Sequence, residues 1–185
     1  MSGNYTDHLG RPIVAVTGMG VVTSLGRGKD ANWQALTSGQ SGIHAVTRFP
    51  VDKFNTVIAG TVDFMPESGT GAALLSFALA EAAASEAIEE AGIDGAFEGP
   101  LFLAAPPVEL EWQHRFSIDA DSASSLEPGY PRLLENCRAS SHDILFDYAM
   151  FGSIAEHLQE RFGTSGLPVT LSTACASGAT AIQLG

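Results

Sequence analysis

The chain contains two cysteines, Cys137 and Cys175, in unlike surroundings. Residues 169–172 have strand composition, and residues 176–184 are small and apolar enough to open a helix, so Cys175 falls where a strand turns into a helix. A thiol in that position can act as a nucleophile. Unpaired N–H groups and aligned peptide dipoles make a helix start electropositive, which stabilises a thiolate and can hold an oxyanion formed on an attacked carbonyl. Ala174, Ala176, Ser177 and Gly178 leave room for a substrate carbonyl to reach the sulfur. The plain alternative is a small buried cysteine packed among small residues. The sequence context described below weighs against it.

The rest of the chain must position this thiol. Residues 1–10 are polar and read as a flexible, loosely attached tail. Residues 13–17 are apolar without clean alternation, as expected of a strand covered on both faces, and Gly18, Gly20, Gly26 and Gly28 break the run into a turn. A dinucleotide-binding fingerprint is the tempting alternative there, but Thr23 occupies the third glycine position and residues 21–26 do not open a helix, which weighs against it. Residues 30–36 predict a short helix capped near Asp30 and stopped near Gly39. A second strand is expected over 57–62, and a slim alanine-rich helix over 71–91 with Ala73, Phe77, Ala80, Ala84, Ala87 and Ala91 on one side. A third strand over 101–105 ends at Pro106 and Pro107. This alternation of strand and helix is that of a parallel α/β sheet.

From 108 to 142 the periodicity is lost, and the composition is that of a long inserted loop. Helical spacing returns with Ile144, Tyr148, Phe151, Ala155, Leu158 and Phe162, with Ser140 and Asp143 placed as a capping pair and Gly163 as the stop. His157 lies beside Leu158 and reads as a boundary residue. His114 and His142 stand alone in polar stretches and read as surface residues, and no ligand spacing for a metal is found.

With 185 residues, 45% of them hydrophobic, the chain can form one domain with a sizeable core. No leader peptide and no run long enough to span a bilayer is visible, and the cysteine usage fits a reducing compartment, so a soluble cytoplasmic protein is expected. The formal charge of −12 disfavours nucleic acid and anionic membranes as partners.

Thr173-Ala174-Cys175-Ala176-Ser177-Gly178 resembles the nucleophile motif of the β-ketoacyl synthases, the condensing enzymes of fatty acid and polyketide synthesis. Residues 13–26, from Ile13 through Thr17-Gly18-Met19-Gly20 to Gly26, resemble that family's opening strand and turn. Residues 78–83 and 86–93 resemble the long helix before its third strand. Thiolases share the fold but place their nucleophilic cysteine much nearer the N-terminus. The resemblance implies a thiolase-like α/β fold, with residues 11–185 as the N-terminal half of a pseudo-duplicated α-β-α-β-α layered architecture.

It also implies a chemistry. Cys175 would attack an acyl thioester while its own backbone N–H helps form the oxyanion hole, and malonyl thioester would then condense with the acyl group in a decarboxylative Claisen reaction of fatty acid biosynthesis. The substrates would ride on the phosphopantetheine of acyl carrier protein, with no metal or diffusible cofactor, and the enzyme would be a homodimer. Two histidines and a lysine of the family's second half have no counterpart here, so residues 1–185 alone are expected to be inactive; the alternative is a truncated non-catalytic scaffold or dimerisation module. A thioesterase or acyltransferase using Cys175 would need a nearby base that the sequence does not show. The region after the third strand would contribute to the dimer contact and acyl pocket, with Val108, Leu110 and Trp112 as candidates beside their ordinary role in packing. Carrier proteins are acidic, yet residues 65–72 contain no basic residue to receive one. Either Arg115, Arg132, Arg138 or the family's second half would supply the basic patch, or the partner would be an unusual carrier.

Overall fold

A computed structural model of the protein describes residues 5–65, 71–106, 110–120, 126–139 and 142–185. Its centre is a parallel pair of short strands, β5 (Phe102–Ala104) and β6 (Val169–Leu171), in register Phe102 with Val169, Leu103 with Thr170 and Ala104 with Leu171. Ala105, Ile154 and Leu158 form the buried cluster beside β5, joined by Phe77, Ala80, Ala84, Leu101, Leu103, Phe151 and Phe162. These residues come from β5 and the two residues that flank it, from the long helix α2 (Ala72–Glu90), from α6 (Ser153–Phe162) and from Phe151 just before α6. The alanine face read from the sequence is therefore a packing face. Its small side chains let α2 lie close to its neighbours, and Gly92 (φ 65°) ends the helix in a left-handed turn.

The segment before α2 explains two glycines. A Cβ on Gly18 would stand 1.9 Å from the Ala87 carbonyl oxygen, and one on Gly20 would stand 1.8 Å from that of Ala83. Backbone thus packs on backbone, at a distance that leaves no room for a Cβ at residues 18 and 20. Carboxylates of α2 reach back to the same segment. Glu90 accepts the Met19 N–H at 2.6 Å, and Glu86 accepts those of Val21 (2.9 Å) and Lys29 (2.8 Å).

Residues 13–17, expected as a strand, join no ladder among the described residues, and Val14 is 87% exposed. Apolar composition supplies burial tendency, but a strand exists only where a neighbour offers hydrogen bonds. The tight antiparallel pair β1 (Val22–Thr23) and β2 (Gly26–Arg27) follows. Helix α1 (Lys29–Thr37) then begins after Gly28, which has φ 88° and no capping side chain. Asp30 lies within the first turn, and the cap is the distant Glu86 carboxylate on the Lys29 N–H. The strand expected over 57–62 is confined to β4 (Ile58–Ala59), which pairs antiparallel with β3 (His44–Ala45) in a hairpin outside the parallel pair.

The stretch expected to be an inserted loop contains two helices, α3 (Trp112–Ala120) and α4 (Tyr130–Ala139), held together where the buried Asn136 Nδ2 donates to the Ile118 carbonyl at 2.8 Å. Pro131, part of the stretch whose composition reads as loop, lies in the first turn of α4, where a missing N–H costs nothing. The single helix expected after residue 142 is two: α5 (Asp143–Ala149) ends at Met150, whose backbone is extended (ψ 130°), and α6 starts after Gly152. Ser140 of the expected capping pair lies outside the described residues. Gly163 (φ 69°) closes α6 as expected. After β6, α7 (Ser177–Leu184) packs back across β5. No helix among the described residues is long and apolar enough to cross a membrane.

Candidate active site

Because β5 and β6 are parallel, the chain leaves both at the same edge, and Ala105 N–H still donates to the Leu171 carbonyl there at 3.2 Å. This carboxyl edge is where open α/β sheets take their ligands. Cys175 emerges from β6 at this edge, ahead of α7, and its side chain is exposed. Cys137 is exposed as well, but it lies inside α4, with no helix start beneath it. Place in the fold, and not exposure, separates the two thiols.

The turn carrying Cys175 is strained and braced. Ala174 has φ 52°, the one left-handed residue other than glycine among those described, in a conformation that costs an L-residue about 1 kcal/mol. Three hydroxyls hold it. The Ser177 Oγ accepts the Thr173 N–H at 2.8 Å and donates to the Ala174 carbonyl at 2.7 Å. The Thr180 Oγ1 donates to the Ala176 carbonyl at 3.0 Å and stands 3.2 Å from the Thr173 Oγ1. Sequence reasoning identified the cysteine and missed the brace; its signal was hydroxyl residues at 173, 177 and 180, spaced by four and three, so that all three come onto one side of the turn.

The amides complete the geometry. The N–H of Ala176 donates to Thr173, that of Ser177 to Ala174 and that of Thr180 to Ala176. Among the described residues the N–H groups of Cys175, Gly178 and Ala179 have no hydrogen-bond acceptor. An exposed sulfur beside unpaired amides at a helix start is an arrangement that can attack a carbonyl and hold the resulting oxyanion.

The other candidates fall elsewhere. Val108 lies outside the described residues. Leu110 is half-buried, and Trp112, 71% exposed, begins α3 with its ring 6.0 Å from Phe116. His157 bridges α2 and α6: its Nε2 is 3.2 Å from Glu81 Oε2, and its ring stacks on Phe77 at 5.2 Å. Arg161 Nε donates to the other Glu81 oxygen at 2.7 Å, and this bond, followed by that of His157, holds the Glu81 carboxyl below its ordinary range. His114, expected at the surface, is half-buried, with its ring 5.8 Å from Tyr148. No three His, Cys, Asp or Glu side chains among the described residues group as metal ligands would.

Comparison with known proteins identifies the family and the fold. Residues 12–185 match the family model described as beta-ketoacyl synthase, N-terminal domain. A putative polyketide beta-ketoacyl synthase 1 of Streptomyces cyaneus is 30% identical over 183 residues, covering 91% of this chain and 41% of that protein. The 3-oxoacyl-[acyl-carrier-protein] synthase 2 of Vibrio cholerae is 26% identical over 175 residues, covering 89% of this chain and 39% of the relative. Among solved structures, a type II polyketide acyl-carrier protein in complex with its ketosynthase superposes with a TM-score of 0.62 at 24% identity, covering 91% of this chain and 40% of the other. The fold is thus the α/β, thiolase-like fold of the ketosynthases, and the chain spans about two fifths of the length of these relatives.

Proposed function

Because the chain belongs to the β-ketoacyl synthases and matches their N-terminal domain, we propose that it carries the acyl-accepting half of a condensing site, with Cys175 as nucleophile. The observation that carries this reading is the braced turn: an exposed thiol after a left-handed Ala174, beside unpaired amides at the start of α7. In the first stage the Cys175 thiolate attacks the carbonyl of an acyl thioester, the Cys175 N–H steadies the oxyanion, and the carrier's pantetheine thiolate leaves. In the second, malonyl thioester loses carbon dioxide, and the enolate carbon so formed attacks the Cys175-bound acyl carbonyl. The bond to Cys175 sulfur breaks, the thiolate is restored, and a β-ketoacyl thioester two carbons longer is released. The substrates arrive on carrier-bound phosphopantetheine. The working form we propose is a homodimer in the cytoplasm, with the groups that assist decarboxylation supplied by sequence beyond residue 185.

Elongation of fatty acyl chains is the form of the reaction expected from sequence. The Streptomyces polyketide relative favours a second form, in which the same condensation builds a poly-β-ketone. Incubation of purified protein that includes the second half beyond residue 185 with malonyl carrier and saturated acyl primers distinguishes them: one two-carbon extension per primer supports fatty acyl elongation, and repeated extension without reduction supports the polyketide form. Absence of carbon dioxide release with every primer would favour the non-catalytic scaffold.

A further inference from the structure

In an acidic chain, the placement of nine Lys and Arg residues decides where an acidic partner can land. Four are neutralised internally, Arg11 by Asp7, Lys29 by Glu90, Arg132 by Asp119 and Arg161 by Glu81. Arg132 also donates from Nη2 to the Asp119 carbonyl at 2.8 Å, so it is committed to joining α3 and α4 and is not available as a docking cation. Arg115 donates to the Leu110 carbonyl and lies over the Trp112 ring, and Arg27 is engaged too. Arg48, Lys53 and Arg138 remain, with no partner among the described residues. Arg138 stands by itself at the last turn of α4. Arg48 and Lys53 occur together, on the loop that joins β3 to β4.

That loop has the other ingredients of a protein contact. Phe49 and Phe54, adjacent in sequence to the two cations, are 56% and 62% exposed and meet edge to face with ring centres 6.3 Å apart. Exposed aromatics beside cations are the usual anchors of an interface. The loop is held in shape before any partner arrives. The Val46 N–H donates to Val57 at 2.9 Å and the Phe54 N–H to Val51 at 2.9 Å, and His44 sets its two ring nitrogens 3.1 Å from the carbonyls of Ala45 and Thr61. Asp63 is exposed but accepts hydrogen bonds from the Thr61 and Thr47 hydroxyls, and Asp52 is the only carboxylate in sequence between the two cations. A rigid loop loses less entropy on binding.

We infer that the β3–β4 hairpin, through Arg48, Lys53, Phe49 and Phe54, is the surface on which the acidic acyl carrier docks. The inference rests on the condensing reading of Cys175. It follows from charge complementarity: a chain of charge −12 repels an acidic protein over most of its surface and attracts it where unneutralised cations flank exposed apolar rings.

The test uses the purified protein and two thiol-reactive probes, one on the pantetheine of a carrier and one on free pantetheine. Alkylation of Cys175 by each is timed in wild type, in R48E/K53E and in F49A/F54A. Docking at the hairpin predicts that the carrier-borne probe reacts about tenfold or more slowly with either double variant and that the charge reversal removes most of its salt dependence. The free probe would react at the wild-type rate, which also reports an intact fold. Unchanged carrier rates in both variants would overturn the hairpin assignment and leave the function of Cys175 standing. If neither probe alkylates Cys175 in wild type, the condensing reading fails and the docking assignment falls with it.

Discussion

The Ser177 hydroxyl closes the turn around Cys175 by accepting the Thr173 N–H at 2.8 Å while donating to the Ala174 carbonyl at 2.7 Å. One side chain thus ties the residue leaving β6 to the residue held at φ 52°, and the position of the sulfur depends on both. Ser177→Ala removes both bonds. The expected cost is about 1–2 kcal/mol of stability, from two partly exposed hydrogen bonds, together with a fall of about tenfold in the rate of Cys175 acylation as the sulfur loses its alignment. Denaturant melts and acylation kinetics with a small acyl thioester check both, and a stable variant acylated at the wild-type rate would show that the brace is dispensable.

Gly18 and Gly20 face the carbonyls of Ala87 and Ala83 with no room for a methyl group. Gly18→Ala or Gly20→Ala should therefore destabilise by about 1–3 kcal/mol or more, because the obstructing atoms are helix backbone and cannot rotate away. Gly71→Ala is the control: its φ is −96°, and no atom lies within 4 Å of the added Cβ. Urea midpoints of the three variants decide the matter, and equal midpoints would deny the close approach of this segment to α2.

Gly178 lies within α7, beside the candidate nucleophile, and a Cβ there meets nothing within 4 Å. Gly178→Ala should raise stability by about 0.5–1 kcal/mol through helix propensity. It should also slow acylation, since the new methyl enters the space kept for the substrate. Melting temperature and acylation rate are expected to move in opposite directions.

Acid should loosen the contacts that α2 makes. The Glu86 carboxyl is held below its ordinary 4.5 first by the Lys29 N–H and then by that of Val21, and the Glu90 carboxyl by Lys29 and then by the Met19 N–H. A carboxyl depressed in the folded state contributes stability that is full above the unfolded value of about 4.5 and is lost as pH falls through the folded value. His44 acts in the opposite sense. The Ala45 and then the Thr61 carbonyl raise it above 6.5, so its contribution is full below about 6.5 and is lost as pH rises through the folded value. Stability measured against pH should show a shallower acid limb in E86Q/E90Q and a shallower limb above 6.5 in H44Q. Parallel curves for wild type and variants would contradict these assignments.

How much of this was legible in sequence differs by element. The alanine-rich α2 and the strand-to-helix junction at Cys175 were readable, because local composition and spacing determine them. Residues 13–17 were misread because a strand's existence depends on a neighbour, which no local pattern supplies. Helices α3 and α4 were missed for two reasons. Pro131 belongs to a stretch of loop composition but is tolerated in a first turn, and the contact that joins the helices is polar, through Asn136, where an apolar stripe was sought. The apolar spacing from Ile144 to Phe162 continues across Met150, so the break between α5 and α6 left no mark on it. The hydroxyl brace at 173, 177 and 180 was present in the sequence, yet it became a constellation only once the turn had brought these residues together.

The most direct test of the account is the intact mass of the purified protein after brief exposure to an acyl thioester, followed by peptide mapping. The account predicts one acyl group per chain, on Cys175, absent in Cys175→Ser and unchanged in Cys137→Ser. An unmodified mass, or acylation shared equally between Cys137 and Cys175, would contradict it, because the turn at residue 175 would then confer no reactivity beyond that of any exposed thiol.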